Sequence, residues 1–188
     1  SEEGFIVVLS GRTKEALDTV ASKCEGQVSV KPLDVSNSED VKGVFQNIIS
    51  DYGRIDVLVA SAGLNTKNRN WHNVSEEDFD QVIKIDLNGV FYTNRLVLEK
   101  MKEQREGLII NISSWAGKYV TTLTGPAYTA AKHGVNALTE GINMEAGHFG
   151  VRACAICPGE VATPILDKRP IPVCLLYTSD AADDSACV

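Results

Sequence analysis

Tyr128 and Lys132, in Tyr128-Thr129-Ala130-Ala131-Lys132, have the residue types and spacing for proton chemistry. Positions i and i+4 of a helix share a face one turn apart, so a phenol and an ammonium here reach the same small volume. A phenol, titrating near ~10, is a poor base at neutral pH. A fixed positive charge within a few ångströms favours its phenolate, and the pair then becomes a usable general acid–base. Such pairs also occur on ordinary exposed helices, so the spacing alone marks no site. Ser114 lies 14 residues before Tyr128, in Asn111-Ile112-Ser113-Ser114 at the end of an apolar run. Asp86 falls on a helical stripe of Phe79, Val82, Ile83, Val90, Val97 and Met101. A carboxylate on such a stripe is costly unless hydrogen-bonded or protonated.

Metal and thiol chemistry find less support. His72, His133 and His148 are scattered, no ligand cluster forms, and no metal is expected. Cys154 and Cys157 make a C-x-x-C, a spacing that can serve redox or zinc chemistry. They sit in an apolar strand, where residues three apart point to opposite faces. Divergent sulfurs with no second Cys or His pair read as core thiols.

These residues need positioning elements. Phe5–Leu9, Val28–Leu33, Asp56–Ala60, Gly107–Ile112 and Val151–Cys157 are apolar runs of strand length. Between them lie amphipathic stretches. One carries Ala16, Leu17, Val20, Ala21 and Cys24. A second opens on a capping box of Ser36 with Glu39, carries Val41, Val44, Phe45, Ile48 and Ile49, and stops at Gly53. A third opens on Ser75 with Asp78 and runs to about Glu106. A fourth spans about Pro126 to His148, with the proline near its first turn. Strands alternating with helices predict an α/β fold, a doubly wound parallel sheet covered on both faces. Ligands of such sheets lie beyond the carboxyl ends of the strands. The residues there are Gly11-Arg12, Asp34, Ser61-Ala62-Gly63, Ser113-Ser114 and Pro158-Gly159.

The composition sets outer limits. In 188 residues, 18 Lys+Arg stand against 25 Asp+Glu, a net charge of −7. That balance, with no basic stripe, argues against nucleic acid. No apolar run approaches the roughly 18 residues of a membrane span, and Ser1-Glu2-Glu3-Gly4 is not a secretory leader. The expected setting is cytoplasmic, without a membrane partner.

Tyr128…Lys132, Ser114, Asp34-Val35 and Pro158-Gly159…Thr163, in that arrangement, resemble the short-chain dehydrogenase/reductase family, over about Phe5 to Val173. The resemblance implies a Rossmann-type domain and reversible hydride transfer between a nicotinamide cofactor and a carbonyl/alcohol pair. It implies Tyr128 as proton donor and acceptor, Lys132 as the charge that favours the phenolate and binds the nicotinamide ribose, and Ser114 as the group polarising the substrate oxygen. Thr163 and the backbone of Val161, after Pro158-Gly159, would hold the carboxamide, and Asp34-Val35 the adenine. Ala62 and Gly63 fall in the family's loop after the third strand, here Ala60-Ser61-Ala62-Gly63 in place of N-N-A-G. The long helices around 76–106 and 126–148 resemble those that build homodimers and homotetramers in this family. The cofactor choice follows from charge. A carboxylate after the second Rossmann strand binds the ribose diol of NAD and repels a 2′-phosphate. Here that place holds Gly11, then Arg12 and Thr13, and a guanidinium suits phosphate. NADP(H) is therefore expected over NAD(H), unless Arg12 is only a loop charge.

Departures from the family pattern qualify this. Its active-site asparagine aligns with Asp86, which could accept from a water linked to Lys132 or could pair with that lysine and alter its charge. The Ser-to-Tyr gap is one residue longer, implying a remodelled loop from Trp115 to Pro126. The first strand, the T-G-x-x-x-G-x-G phosphate loop and the last strand are missing from the expected fold. The chain thus reads as a partial domain over 1–173, with an unrelated tail, 174–188, of disordered or read-through character. The parent protein is expected to be a carbonyl reductase or alcohol dehydrogenase, and the 188-residue chain itself to be inactive. A non-catalytic nucleotide-binding or scaffolding relative, and a sugar-nucleotide epimerase or dehydratase, are the alternatives.

Overall fold

The computed structural model describes residues 4–159, 161 and 186–187. They fall into two compact units, residues 1–53 and 54–188. In the first, β1 (Val7–Gly11) and β2 (Val28–Pro32) are parallel, in register from Val7 opposite Val28 to Gly11 opposite Pro32. Pro32 is the last residue of its strand, where a missing N–H costs the ladder little. Helix α1 (Lys14–Ala21) joins the two strands, and α2 (Ser38–Tyr52) follows. The α2 stripe buries Val41, Phe45 and Ile48, one face of a 3.6-residue period.

The cap of α2 differs from the expected box. Asn37, not Ser36, is the N-cap, its side chain accepting from the N–H groups of Glu39 and Asp40. Ser36 donates its own N–H to Asp34 Oδ1 at 2.9 Å, a turn that delays the helix by one residue. At the other end Gly53 closes α2 in the left-handed conformation (φ 75°), as a glycine cap should.

The second unit is built on strands β3 (Val57–Ala60), β4 (Gly107–Ile112) and β5 (Val151–Cys157), parallel and in that order. A two-residue strand β6 (Ala186–Cys187) runs antiparallel beside the end of β5. The remainder of the proposed tail lies outside the described residues. Helices α3 (Glu76–Ile83) and α4 (Gly89–Gln104) connect β3 to β4, and α5 (Pro126–Ala146) connects β4 to β5. Ser75 caps α3 as expected, accepting the Asp78 N–H at 3.0 Å.

The long helix expected from 76 to about 106 is not continuous. Lys84–Asn88 forms a π turn between α3 and α4. Such widened turns leave no mark in a 3.6-residue pattern and recur at functional sites. The stripe still holds: Val82, Val90, Val97 and Met101 are buried, and so is Asp86.

Helices α4 and α5 lie on one face of the sheet, where Ile109, Asn111, Ala153 and Ala155 are buried. Asn111 donates to Thr139 Oγ1 of α5 at 2.9 Å. Asn143 of α5 donates to Ala153 O and accepts from Ala153 N, both at 2.8 Å, so its amide satisfies backbone groups of β5 as a neighbouring strand would. On the opposite face Val57 and Val59 are 41% and 54% exposed. The described helices α4 and α5 of this unit cover the first of these faces. Cys154 and Cys157 point to opposite sides of β5, half-buried and buried, and neither is in a disulfide.

Candidate active site

Three parallel strands end side by side, and the site is assembled at their carboxyl ends. After β4 the pairing continues past the ladder: Ser113 N donates to Ile156 O at 2.8 Å, and Trp115 N to Pro158 O at 2.8 Å. These bonds seat Ser113-Ser114 beside Pro158. The Ser114 side chain caps a short 3₁₀ turn, Trp115–Gly117, accepting the Ala116 N–H at 3.1 Å. Ser113 Oγ instead turns inward and donates to Lys132 O at 3.2 Å. The adjacent serines thus divide between holding α5 and capping the 3₁₀ turn.

The start of α5 is pinned from the other side. Gly125, at φ 75°, precedes Pro126, and a Cβ there would run into the Arg69 carbonyl, so glycine is required. Asn65 Nδ2 donates to Thr124 O at 3.0 Å. Tyr128 then packs on a small cluster of Val82, Ala127 and Ala131. Lys132, one turn on, is 3% exposed, and its Nζ donates to Ile112 O at 3.0 Å. The ammonium sits 5.3 Å from the centroid of the Tyr128 ring. The predicted Tyr/Lys pairing is therefore realised, with the lysine buried instead of solvated.

Asp86 joins this pair. It is 0% exposed, and Oδ1 accepts the Leu64 N–H at 2.8 Å. Oδ2 stands 3.5 Å from Lys132 Nζ, an ion pair longer than a hydrogen bond, and has no hydrogen-bond partner among the described residues. Gly63 closes over the two charges: a Cβ there would lie 3.0 Å from Asp86 Oδ2 and 3.4 Å from Lys132 Nζ. Asp86 thus stands within direct ion-pair reach of Lys132, one of the two relations the sequence left open. Asn88, at the end of the π turn, is half-buried and makes no side-chain cap.

Burial raises the Asp86 carboxyl above its ordinary value of 3.8, against the opposing pull of Lys132 and the Leu64 N–H. The unfolded chain releases this proton near 3.8 and the folded chain releases it later. Between the two values the folded state holds the extra proton, so stability falls as pH rises through that window. Asp86→Asn is expected to abolish this component. Denaturation midpoints of the two proteins, measured from pH 4 upward, should converge at the acid end and separate in slope above it.

The other expected binding residues divide between the units. Arg12 and Thr13 follow β1 and are exposed, while Asp34 and Val35 follow β2 and are half-buried. Asp34 is committed to the entry of α2, taking the Ser36 N–H and giving its own N–H to Asp40 Oδ2 at 2.8 Å. In the second unit Ala62 and Gly63 follow β3, and Pro158, Gly159 and Val161 follow β5. Thr163 lies outside the described residues. His133 is tied by Nδ1 to Thr129 O at 2.9 Å, and no group of three or more His, Cys, Asp or Glu among the described residues could hold a metal. No described helix is long and apolar enough to cross a membrane. Sequence reasoning placed Ser113 at the strand end without giving it a role, and it overlooked the Ile112 carbonyl and the Leu64 N–H. Only Ser113 left a signal, as a second serine at the strand end, while the other two act through backbone.

Comparison with known proteins bears on this arrangement. A family model described as short chain dehydrogenase matches residues 1–171. A 3-oxoacyl-[acyl-carrier-protein] reductase from Thermotoga maritima is 35% identical over 173 residues, which cover 90% of this chain and 70% of the relative. The crystal structure of levodione reductase superposes with a TM-score of 0.83 at 32% identity, over 87% of this chain and 65% of that one. An alcohol dehydrogenase from the archaeon Thermococcus sibiricus, complexed with 5-hydroxy-NADP, superposes with a TM-score of 0.82 at 27% identity, over 91% of this chain and 72% of that one. The chain thus spans under two thirds of levodione reductase and somewhat more of the other two. With the parallel strands and the site at their carboxyl ends, the match over residues 1–171 shows that the chain belongs to the short-chain dehydrogenase family of NAD(P)-dependent oxidoreductases.

Proposed function

We propose that the parent protein interconverts a carbonyl and an alcohol by hydride transfer, with Tyr128 as general acid–base and NADP(H) preferred over NAD(H). The observation that carries this reading is the buried Lys132, fixed by Ile112 O and Asp86 with its ammonium 5.3 Å from the Tyr128 ring. A lysine buried without a task would be an expensive choice.

The donor set suits a nicotinamide cofactor. An ammonium has three N–H donors. Ile112 O takes one and Asp86 attracts a second, which leaves a third for a ribose hydroxyl. When bound, the cofactor supplies or accepts the hydride. In the reducing direction Tyr128 gives its phenolic proton to the substrate oxygen as the carbonyl carbon gains hydride, and in the oxidising direction it takes that proton back. Ser114 Oγ already accepts from Ala116 N, which fixes the oxygen and leaves its hydrogen to donate to the substrate oxygen. Pro158, Gly159, Val161 and Thr163 would border the carboxamide, Ala62 and Gly63 the ribose side, and Asp34 with Val35 the adenine. A small carbonyl or alcohol is the substrate. A homodimer or homotetramer through α4 and α5 would cover Phe91 and Met144, exposed by 43% and 85%.

The test is NADPH oxidation by the parent protein against a panel of ketones and aldehydes. A rate no higher than that of Tyr128→Phe sinks the proposal. The cofactor preference has its own check. A charge-assisted contact from Arg12 to a 2′-phosphate is worth about 1.5–3 kcal/mol. Arg12→Ala should therefore raise KM for NADPH by roughly tenfold to a hundredfold and leave KM for NADH unchanged. Equal effects on both cofactors would make Arg12 only a loop charge.

A further inference from the structure

Asp86 combines features that packing alone does not require. It is fully buried, with Oδ1 satisfied by Leu64 N and Oδ2 without a hydrogen bond among the described residues. Oδ2 is the oxygen ion-paired with Lys132, the cation that also faces Tyr128. The residue rides on the π turn, and the bare backbone of Gly63 leaves room above both charges. An amide or hydroxyl could take the Leu64 N–H without placing a second charge in the interior.

We propose that Asp86 is a positioning residue that shares the Lys132 ammonium with Tyr128, so that its negative charge moderates how strongly Lys132 favours the Tyr128 phenolate. This deepens the acid–base reading of Tyr128 and rests on it. Opposite charges 3.5 Å apart act on a third group as a dipole, whose field falls off faster than that of a lone cation. The Tyr128 phenol therefore meets a weaker positive potential when Asp86 is ionised than when that position is neutral.

The surrounding titratable groups are few. Lys132 is the charge that acts on Asp86, and Tyr128 lies one turn away on α5. His133, also on α5, is engaged with Thr129 O. Lys84 of the π turn, Glu76, Glu77 and Asp80 of α3, and Arg95 and Glu99 of α4 are exposed, while Asp78 on the first turn of α3 is half-buried. The Leu64 loop carries Lys67, which is exposed, and Arg69, which is buried with its Nε donating to Thr66 O at 2.7 Å, while the end of β4 carries no charged side chain.

The experiment compares the chain with Asp86→Asn and with the smaller, neutral Asp86→Ser. Tyrosinate absorbance is titrated in the cofactor-free protein. The part due to Tyr128 is taken as the difference from the matching Tyr128→Phe protein, which removes Tyr52, Tyr92, Tyr119 and Tyr177. Circular dichroism confirms that each variant is folded. The expected result is that Tyr128 ionises at lower pH in both neutral variants, by about one pH unit. In the parent protein, kcat/KM for alcohol oxidation, where the Tyr128 phenolate is the base, should rise about tenfold below that limb. Superimposable titrations, or a shift to higher pH, would overturn the proposal. A uniform loss of rate at every pH with an unmoved limb would reduce Asp86 to a structural role and also overturn it. If Tyr128→Phe keeps full activity while the tyrosinate shift is present, the acid–base reading falls and the charge sharing stands.

Discussion

Lys132→Met is expected to destabilise the chain by about 3–5 kcal/mol, the usual consequence of removing one partner from a buried ion pair. Methionine fills most of the lysine stem's volume, so the loss does not come from a cavity. It comes from Asp86, which is left fully buried with Leu64 N as its remaining hydrogen-bond partner, and from the Ile112 carbonyl, which loses its donor. The double variant Lys132→Met/Asp86→Asn separates these causes. With both charges gone the interior holds an amide that can still accept from Leu64, and much of the lost stability should return. Denaturant unfolding of the single and double variants gives the comparison. If Lys132→Met unfolds at the wild-type midpoint, the lysine is not an anchored internal charge, and the reading of the site as a preorganised cation fails.

What the sequence revealed of this arrangement follows the reach of its periodicities. Gly107–Ile112 and Val151–Cys157 are bounded as predicted because both are continuous apolar runs, and α5 begins at Pro126 because proline suits a first turn. Tyr128 and Lys132 meet because a helix repeats every 3.6 residues. Asp86 drew notice as a charge on an apolar stripe, and burial is what such a position demands. Pairing with Lys132 is one of the two relations the sequence leaves open for it, but the contact geometry and the Leu64 N–H are not readable. The approach of Asp86 to Lys132 and Leu64 depends on a π turn and on the chain's path after β3, and neither has a local residue signature. The Ser36 box failed for a related reason. Asp34, two residues upstream, competes for the Ser36 N–H, and Asn37 takes over the cap. Backbone partners such as Ile112 O are silent in any sequence because every residue carries one.

Tyr128→Phe is expected to lower carbonyl reduction by the parent protein by roughly 10²–10⁴-fold, the range lost with a positioned general acid. Stability should change little. The phenyl ring keeps the packing on Val82, Ala127 and Ala131 and the face turned to the Lys132 ammonium. Among the described residues the phenol has no hydrogen-bond partner, so its removal orphans none of them. This contrast with Lys132→Met gives the pair its diagnostic use. Lysine is expected to serve structure and reaction together, and the phenolic oxygen the reaction alone. Parallel measurements of kcat/KM and unfolding midpoint should show Lys132→Met impaired in both and Tyr128→Phe in the first alone. A scaffold that kept the fold without the chemistry would show the stability loss at Lys132 and no activity for Tyr128→Phe to remove.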